Sequence, residues 1–95
     1  MPNRNYRRGR AYEYRVVKML EATGFTATRT AGSHGCFDVM AFNGQQLRLI
    51  QVKCGDATMS PAERETFRSL HVPPQATREI WHFRKRGQPP LIAVL

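Results

Sequence analysis

Long apolar runs, cysteines and acidic residues are all scarce in this 95-residue sequence. No apolar run approaches the roughly 20 residues that span a bilayer, which excludes a transmembrane segment. The basic N-terminus is followed by no apolar segment, so no secretory signal is predicted. The two cysteines are too few to staple a secreted mini-protein, and we expect a reduced, cytoplasmic setting.

The shortage of acids leaves a strongly basic chain. Seven Asp and Glu stand against 15 Lys and Arg, which gives a formal net charge of +8. Basic residues cluster in segments 4–10 and 84–86. Such clusters displace counterions from a phosphate backbone, so a nucleic acid is the expected partner. A membrane surface is the weaker alternative, because Arg7, Arg8 and Arg10 precede the apolar stripe rather than follow one face of it.

The hydrophobic pattern predicts seven elements in the order α-β-β-β-α-β-β. Residues 1–9 are predicted to form a flexible basic arm and residues 10–95 a single domain. The first helix should end at Gly24, and the second should begin with a capping box of Ser60 and Glu63 and end near Leu70. Strands are expected over about 25–30, 37–42, 45–53, 78–84 and 91–94. This order predicts an α/β or mixed α+β fold with a central sheet.

The pair Asn43-Gly44 between two strand-like segments predicts a β-hairpin with a two-residue turn. Paired positions would then sum to 87, which places Asp38 opposite Leu49. Gln51 and Lys53 follow on the same face, because side chains alternate along a strand. A carboxylate, an amide oxygen and an ammonium group are therefore expected to converge at one edge of the sheet.

Glu13 is a second unusual acid, because it shares the core-facing stripe of the first helix and needs a partner there. Taken singly, each of these residues has an ordinary explanation: a helix-terminus charge, a strand cap or a solvated strand face. Taken together, they offer the hard oxygen ligands that suit Mg²⁺ or Mn²⁺. Such an ion activates water and stabilises charge on a phosphate, and Lys53 can orient that water. In so basic a chain the expected substrate is a phosphodiester.

These residues lie in a recognisable context. The sequence resembles the PD-(D/E)XK nuclease superfamily, and within it the archaeal-type Holliday junction resolvases, including small relatives carried by viruses. The resemblance extends from about Arg8 to Val52, in the segments RGRAYEYRVVKMLEATGF, RTAGSHGCFDVMA and LRLIQVK. It implies a restriction-endonuclease-like core in which a central mixed sheet is flanked by helices. It also implies a metal-dependent endonuclease acting on four-way DNA junctions in recombination and repair.

The resemblance further implies roles for individual residues. The metal ligands would be Glu13, Asp38 and Gln51, and Lys53 would complete the catalytic set. Arg29 and Ser33 would handle the scissile strand.

The sequence also departs from the family at three positions. Phe37 replaces the usual proline, Tyr14 stands where resolvases tend to carry arginine, and Gln51 replaces an acid. An amide oxygen brings no charge, so the ion should be held less tightly. Two alternatives therefore stay open: a non-catalytic or weakly active nucleic-acid-binding module on the nuclease fold, and a VRR-type nuclease acting on other branched DNA.

Further contacts to DNA are expected outside the catalytic set. His34 is a candidate phosphate or water contact beside Asp38. The basic N-terminal segment should provide general backbone contacts through Arg4, Arg7, Arg8 and Arg10. No zinc site is predicted, because the Cys and His residues lack zinc-ligand spacing. No small-molecule cofactor is expected.

A symmetric homodimer is also expected. Resolving a four-way junction takes two symmetry-related cuts, and one chain carries one site. The apolar surface for the dimer is predicted on the second helix, with Phe67 and Leu70, or on the late strand, with Trp81 and Phe83.

Overall fold

The computed structural model describes residues 4–30 and 36–95, and for residues 4–8 it describes the backbone alone. Its elements are α1 (Arg4–Glu21), β1 (Thr26–Arg29), β2 (Val39–Phe42), β3 (Leu47–Cys54), α2 (Pro61–Arg68), β4 (Ala76–Phe83) and β5 (Leu91–Val94). The strands form one five-stranded sheet in the order β1-β2-β3-β4-β5. β3 and β4 run parallel, and every other pair is antiparallel. The predicted element order and mixed central sheet are confirmed.

The first helix begins earlier than the sequence analysis expected. α1 starts at Arg4, so residues 4–9 are helical and do not form the predicted flexible arm. Apolar periodicity is absent from this segment, but arginine is itself a strong helix former. Residues 1–3 lie outside the described part of the chain. At the other end, Gly24 has a φ of +93°, which agrees with its predicted role in ending the helix.

The two helices cover opposite faces of the sheet. Val16 and Leu20 of α1 pack into a core with one set of strand side chains: Val39, Ala41, Ile50, Val52, Trp81 and Phe83. Leu49 and Ile80 alternate with these residues and are buried on the other face. Arg78, which shares that face, donates to the Leu70 carbonyl just after α2. We infer that α2 packs there through Phe67, which is fully buried.

The second helix has the predicted start. Ser60 Oγ accepts a hydrogen bond from Glu63 N at 3.1 Å, and Glu63 Oε1 accepts one from Ser60 N at 3.0 Å. These two bonds form the capping box, with Pro61 in the first turn. The helix ends at Arg68, two residues before the predicted position near Leu70.

The predicted register of the β2–β3 hairpin is wrong by two residues. Val39 pairs with Ile50 and Phe42 with Leu47, so paired positions sum to 89 rather than 87. Asn43 Oδ1 accepts hydrogen bonds from the backbone N–H groups of Gln45 and Gln46, both at 2.8 Å. This local side-chain cap favours a longer loop over residues 43–46. Neither Asn43 nor Gly44 has the positive φ that a two-residue type I′ turn requires.

A buried ion pair joins β3 to β4. Arg48 Nε and Nη2 donate to the two carboxylate oxygens of Glu79, both at 2.8 Å. Trp81 Nε1 and Thr77 Oγ1 donate to the same carboxylate at 2.9 and 2.6 Å. Burial acts to raise the pKa of Glu79, but the hydrogen bonds from Arg48, Thr77 and Trp81 hold it below its ordinary value. The carboxylate is therefore ionised and saturated with donors.

The surfaces predicted for a dimer are mostly unavailable. Phe67, Trp81 and Phe83 are 0%, 4% and 1% exposed, because they fill the two cores on either side of the sheet. Leu70 is half-buried.

Within residues 4–30 and 36–95, no helix is long and apolar enough to cross a membrane.

Candidate active site

Asp38 occupies the position that organises the site. It directly precedes β2, and its backbone N–H donates to the Ile50 carbonyl at 2.8 Å. Its Oδ2 accepts hydrogen bonds from Val52 N at 3.0 Å and from Gln51 Nε2 at 2.8 Å. The sequence analysis placed Leu49 opposite this aspartate, whereas the observed register pairs the next residue, Val39, with Ile50 and leaves Gln51 in hydrogen-bond contact with Asp38. Because the register error is two residues, the side chains remain on the expected face.

Glu13 approaches from α1. Arg29 Nε donates to Glu13 Oε1 at 2.9 Å, and this ion pair is the partner that the position of Glu13 required. The guanidinium of Arg29 also lies 4.7 Å from the ring centroid of Tyr14, and its Nη1 donates to the Tyr14 hydroxyl at 3.3 Å. Tyr14 was recognised only as a departure from the family pattern. Its place next to Glu13 on the helix was the signal for this contact.

The two carboxyl groups lie close enough to influence each other. Burial raises the pKa of Glu13 above its ordinary value, the hydrogen bond from Arg29 opposes this, and the negative charge of Asp38 adds to the rise. Burial also raises the pKa of Asp38, and the Val52 N–H and the charges of Lys53 and Arg29 act against it. Two partly desolvated carboxylates that repel each other are an arrangement that a cation would relieve.

Lys53 lies on the same face of β3 as Gln51, two residues further along the strand. Its positive charge acts on Asp38, and it also helps to lower the pKa of Glu63 at the start of α2. Asp38 is thus linked to each of the other predicted catalytic residues, by a hydrogen bond to Gln51 and by charge to Glu13 and Lys53.

Comparison of the chain with known protein families identifies its relatives. The family model described as archaeal Holliday junction resolvase (hjc) matches residues 4–93. The chain belongs to this family. A solved structure of Archaeoglobus fulgidus Hjc, a Holliday junction resolvase from an archaeal hyperthermophile, is similar with a TM-score of 0.73. The match covers 88% of this chain and 73% of that chain at 23% identity, so it shows the fold.

These findings confirm the resemblance and the predicted class of function. A member of the archaeal Holliday junction resolvase family is an endonuclease of DNA recombination and repair, selective for the structure of its substrate.

The donor set of this resolvase fits a weakly held, hard cation. Within the described residues, no group of three His, Cys, Asp or Glu side chains could hold a metal ion. Of the three residues predicted as metal ligands, Glu13 and Asp38 carry carboxylates and Gln51 carries a neutral amide. Oxygen ligands of this kind suit Mg²⁺ or Mn²⁺. Because only two of these three side chains carry a charge, the expected affinity for the ion is low.

Only some of the residues predicted to contact DNA lie in the described part of the chain. Arg4, Arg7 and Arg8 lie in the first turns of α1, and Arg10 is exposed and close enough for its charge to oppose the rise in the pKa of Glu13. Arg29 lies in the site, paired with Glu13. The remaining two predicted contacts, Ser33 and His34, lie outside the described residues.

Proposed function

We propose that this chain resolves four-way DNA junctions by hydrolysing phosphodiesters in a reaction that depends on a divalent metal ion. The catalytic residues would be Glu13, Asp38, Gln51 and Lys53. Mg²⁺ would be the cofactor, with Mn²⁺ as a substitute. Branched DNA would be the substrate, so the site of action would be inside the cell.

One observation carries this proposal: two carboxylates from separate elements, Glu13 on α1 and Asp38 before β2, interact by charge beside Lys53. In a chain with a net charge of +8, acids would otherwise be expected to pair with the abundant cations. Glu13 does pair with Arg29, but Asp38 receives only a backbone N–H and a neutral amide among the hydrogen bonds of the described residues. Within residues 4–30 and 36–95, both of these bonds end on Oδ2 and none ends on Oδ1.

The side chains divide the chemical work. Asp38 and Glu13 would hold the ion, and the Oδ2 of Asp38 is kept in place by Val52 and Gln51. A divalent ion bound there supplies an activated water and neutralises charge on the phosphate. The ammonium of Lys53 would hold the attacking water or the phosphate charge that develops in the transition state. Arg29 would contact the scissile strand by sharing its guanidinium between Glu13 and the DNA.

The test is a comparison of a synthetic four-way junction with a linear duplex of matched sequence. Each is incubated with the protein in Mg²⁺, in Mn²⁺ and in EDTA. Cleavage of the junction alone, and only with metal, is expected. Tight binding without cleavage in either metal would contradict the proposal.

The alternative of a weakly active binding module rests on a specific contact. Gln51 presents its amide nitrogen, a donor, to Asp38. In this orientation the pair is satisfied without any ion, because a donor meets an acceptor. The junction assay separates the two functions, since a binding module would retain junction affinity and show no metal-dependent product.

A homodimer remains part of the proposal, and β5 is the surface that best supports it. β5 is the last strand in the sheet order, and Leu91, Ile92 and Val94 are 60%, 49% and 65% exposed. An apolar edge strand invites pairing with another chain. A second copy is the occupant we propose, because a junction needs two related cuts and a two-fold axis supplies the second site.

A further inference from the structure

A basic pocket lies on the opposite side of α1 from Glu13. The cavity has a volume of about 600 Å³ and is lined by Ala11, Tyr12, Arg15 and Arg86. At 3.6 residues per turn, the three lining residues on α1 project from the side of the helix away from Glu13. Glu13 therefore faces β1, where Arg29 lies, whereas this pocket lies beside the end of β4.

The strand order separates the pocket from the catalytic flank. β1 and β4 are three strand spacings apart in the sheet, which corresponds to about 14 Å. The two are also offset along the strands. Arg29 is paired with Val39, which is paired with Ile50 in the middle of β3, whereas Phe83 is paired with Cys54, four residues further along β3. The two sites are thus separated both across the sheet and along its strands, on opposite sides of α1.

The pocket has a fixed aromatic base. The ring of Tyr12 lies 4.8 Å from that of Phe83, and the guanidinium of Arg15 lies 5.3 Å from the centre of the same Phe83 ring. Phe83 is 1% exposed and belongs to the core, so it holds both residues in position. Stacking on an aromatic ring orients a guanidinium while leaving its N–H groups free to bind a ligand.

The pocket carries positive charge without a counter-charge. No carboxylate is among the described residues that line it. Across residues 4–30 and 36–95, neither Arg15 nor Arg86 takes part in an ion pair. Two guanidinium groups that face a common cavity suit the oxygens of a phosphate group.

We propose that Arg15 and Arg86 bind a backbone phosphate of a DNA strand other than the one being cut. This inference rests on the proposed function, since it takes branched DNA as the substrate. One strand would be engaged at Asp38 and Arg29, and the other would be engaged across α1. Specificity for paired or branched DNA over a single strand would arise in part from this second contact.

The experiment measures binding without metal, so it does not depend on cleavage. Fluorescence anisotropy in EDTA over a range of salt concentrations is recorded with a four-way junction, a linear duplex and a single strand of the cut sequence. The variants are Arg15→Gln, Arg86→Gln and, as a matched control, Arg68→Gln. Arg68 is an exposed arginine at the end of α2, and it does not line the pocket. Thermal unfolding checks that Arg15→Gln folds, and Arg86→Gln tests the pocket without altering the contact with Phe83.

For each pocket variant we expect affinity for the junction and the duplex to fall about tenfold. The slope of log affinity against log salt should lose about 0.9 in magnitude per variant, the value for one phosphate contact. Single-strand binding and the Arg68→Gln protein should be unchanged.

Three results would overturn the inference: unchanged junction affinity in both pocket variants, an equal loss on the single strand, or an equal loss in the control. A wild-type protein that binds the junction and never cuts it would instead refute the proposed function and leave the pocket assignment open to this same test.

Discussion

Neutralising Asp38 is the sharpest test of the site. Asp38→Asn keeps the size of the side chain, and the amide oxygen can still accept hydrogen bonds from Val52 and Gln51. What it removes is one of the two negative charges near the proposed ion. Opposite unit charges about 4 Å apart interact by about 4 kcal/mol at an effective dielectric constant near 20. Since the amide dipole and water recover part of this energy, we expect cleavage to slow by more than about 10²-fold.

The same substitution should leave the fold intact. Burial raises the pKa of Asp38, so the ionised form is less favourable in the folded chain than in the unfolded one. The folded state then binds the proton more tightly, and stability declines as pH rises from the ordinary aspartate pKa through the raised one. Above this pH range, the folded state bears the whole free-energy cost of keeping Asp38 ionised. At neutral pH without metal, Asp38→Asn should therefore melt at the same temperature as the wild type or higher.

The assay combines single-turnover cleavage of a junction in Mg²⁺, junction binding in EDTA and thermal unfolding. Asp56→Asn is the matched control, because Asp56 is the only other aspartate in the sequence and is exposed. Cleavage by Asp38→Asn at the wild-type rate would refute the site assignment. A lowered melting temperature or lost junction binding would show that Asp38 maintains the fold rather than the chemistry.

Five further changes test other parts of the structure. Gln51→Glu should lower the ion concentration for half-maximal cleavage and tighten calorimetric ion binding, whereas unchanged values in Gln51→Ala would exclude Gln51 as a ligand. Glu79→Gln should lower the free energy of unfolding, measured in urea, by about 3 kcal/mol. Because the pKa of Glu79 is held low, wild-type stability should fall as pH drops from the ordinary glutamate pKa towards it, and a flat pH profile would contradict this. Replacing Arg7 and Arg8 by glutamine should reduce the magnitude of the slope of log DNA affinity against log salt by about 0.9 per lost phosphate contact. An unchanged slope would place the DNA surface elsewhere. Ile92→Lys should yield monomers in light scattering if β5 is the dimer surface, and persistent dimers would assign the interface to another face.

The sequence predicts local chemistry better than it predicts register. The Ser60–Glu63 capping box and the stop at Gly24 depend on residues a few positions apart, and both occur as expected. The Asn43-Gly44 hairpin also forms, but the side chain of Asn43 caps a longer loop. A dipeptide does not specify which of two loop lengths the neighbouring strands will accept.

The site could be predicted in composition but not in its pairing. Glu13 was recognised as needing a partner, yet the sequence did not say that Arg29 would be that partner, because their contact depends on how α1 crosses β1. Likewise, Trp81 and Phe83 were considered for a dimer surface, since a strand pattern alone does not reveal that α1 covers their face of the sheet. Tertiary contacts of this kind are set by packing rather than by local propensity.

The parallel pairing of β3 with β4 has a consequence for the order in which the nuclease is made. The four residues proposed to be catalytic lie within the first 53 positions, so a ribosome would synthesise them before β4, which spans Ala76–Phe83. Until β4 emerges, β3 lacks one neighbour, and Val52 lacks the cover that Trp81 and Phe83 give to that core. Non-local parallel pairing forms late because its loop-closure entropy must be met first. A nascent chain would therefore carry the complete set of catalytic side chains without a stable sheet to hold them, and nuclease activity would begin only once the later half of the chain has folded.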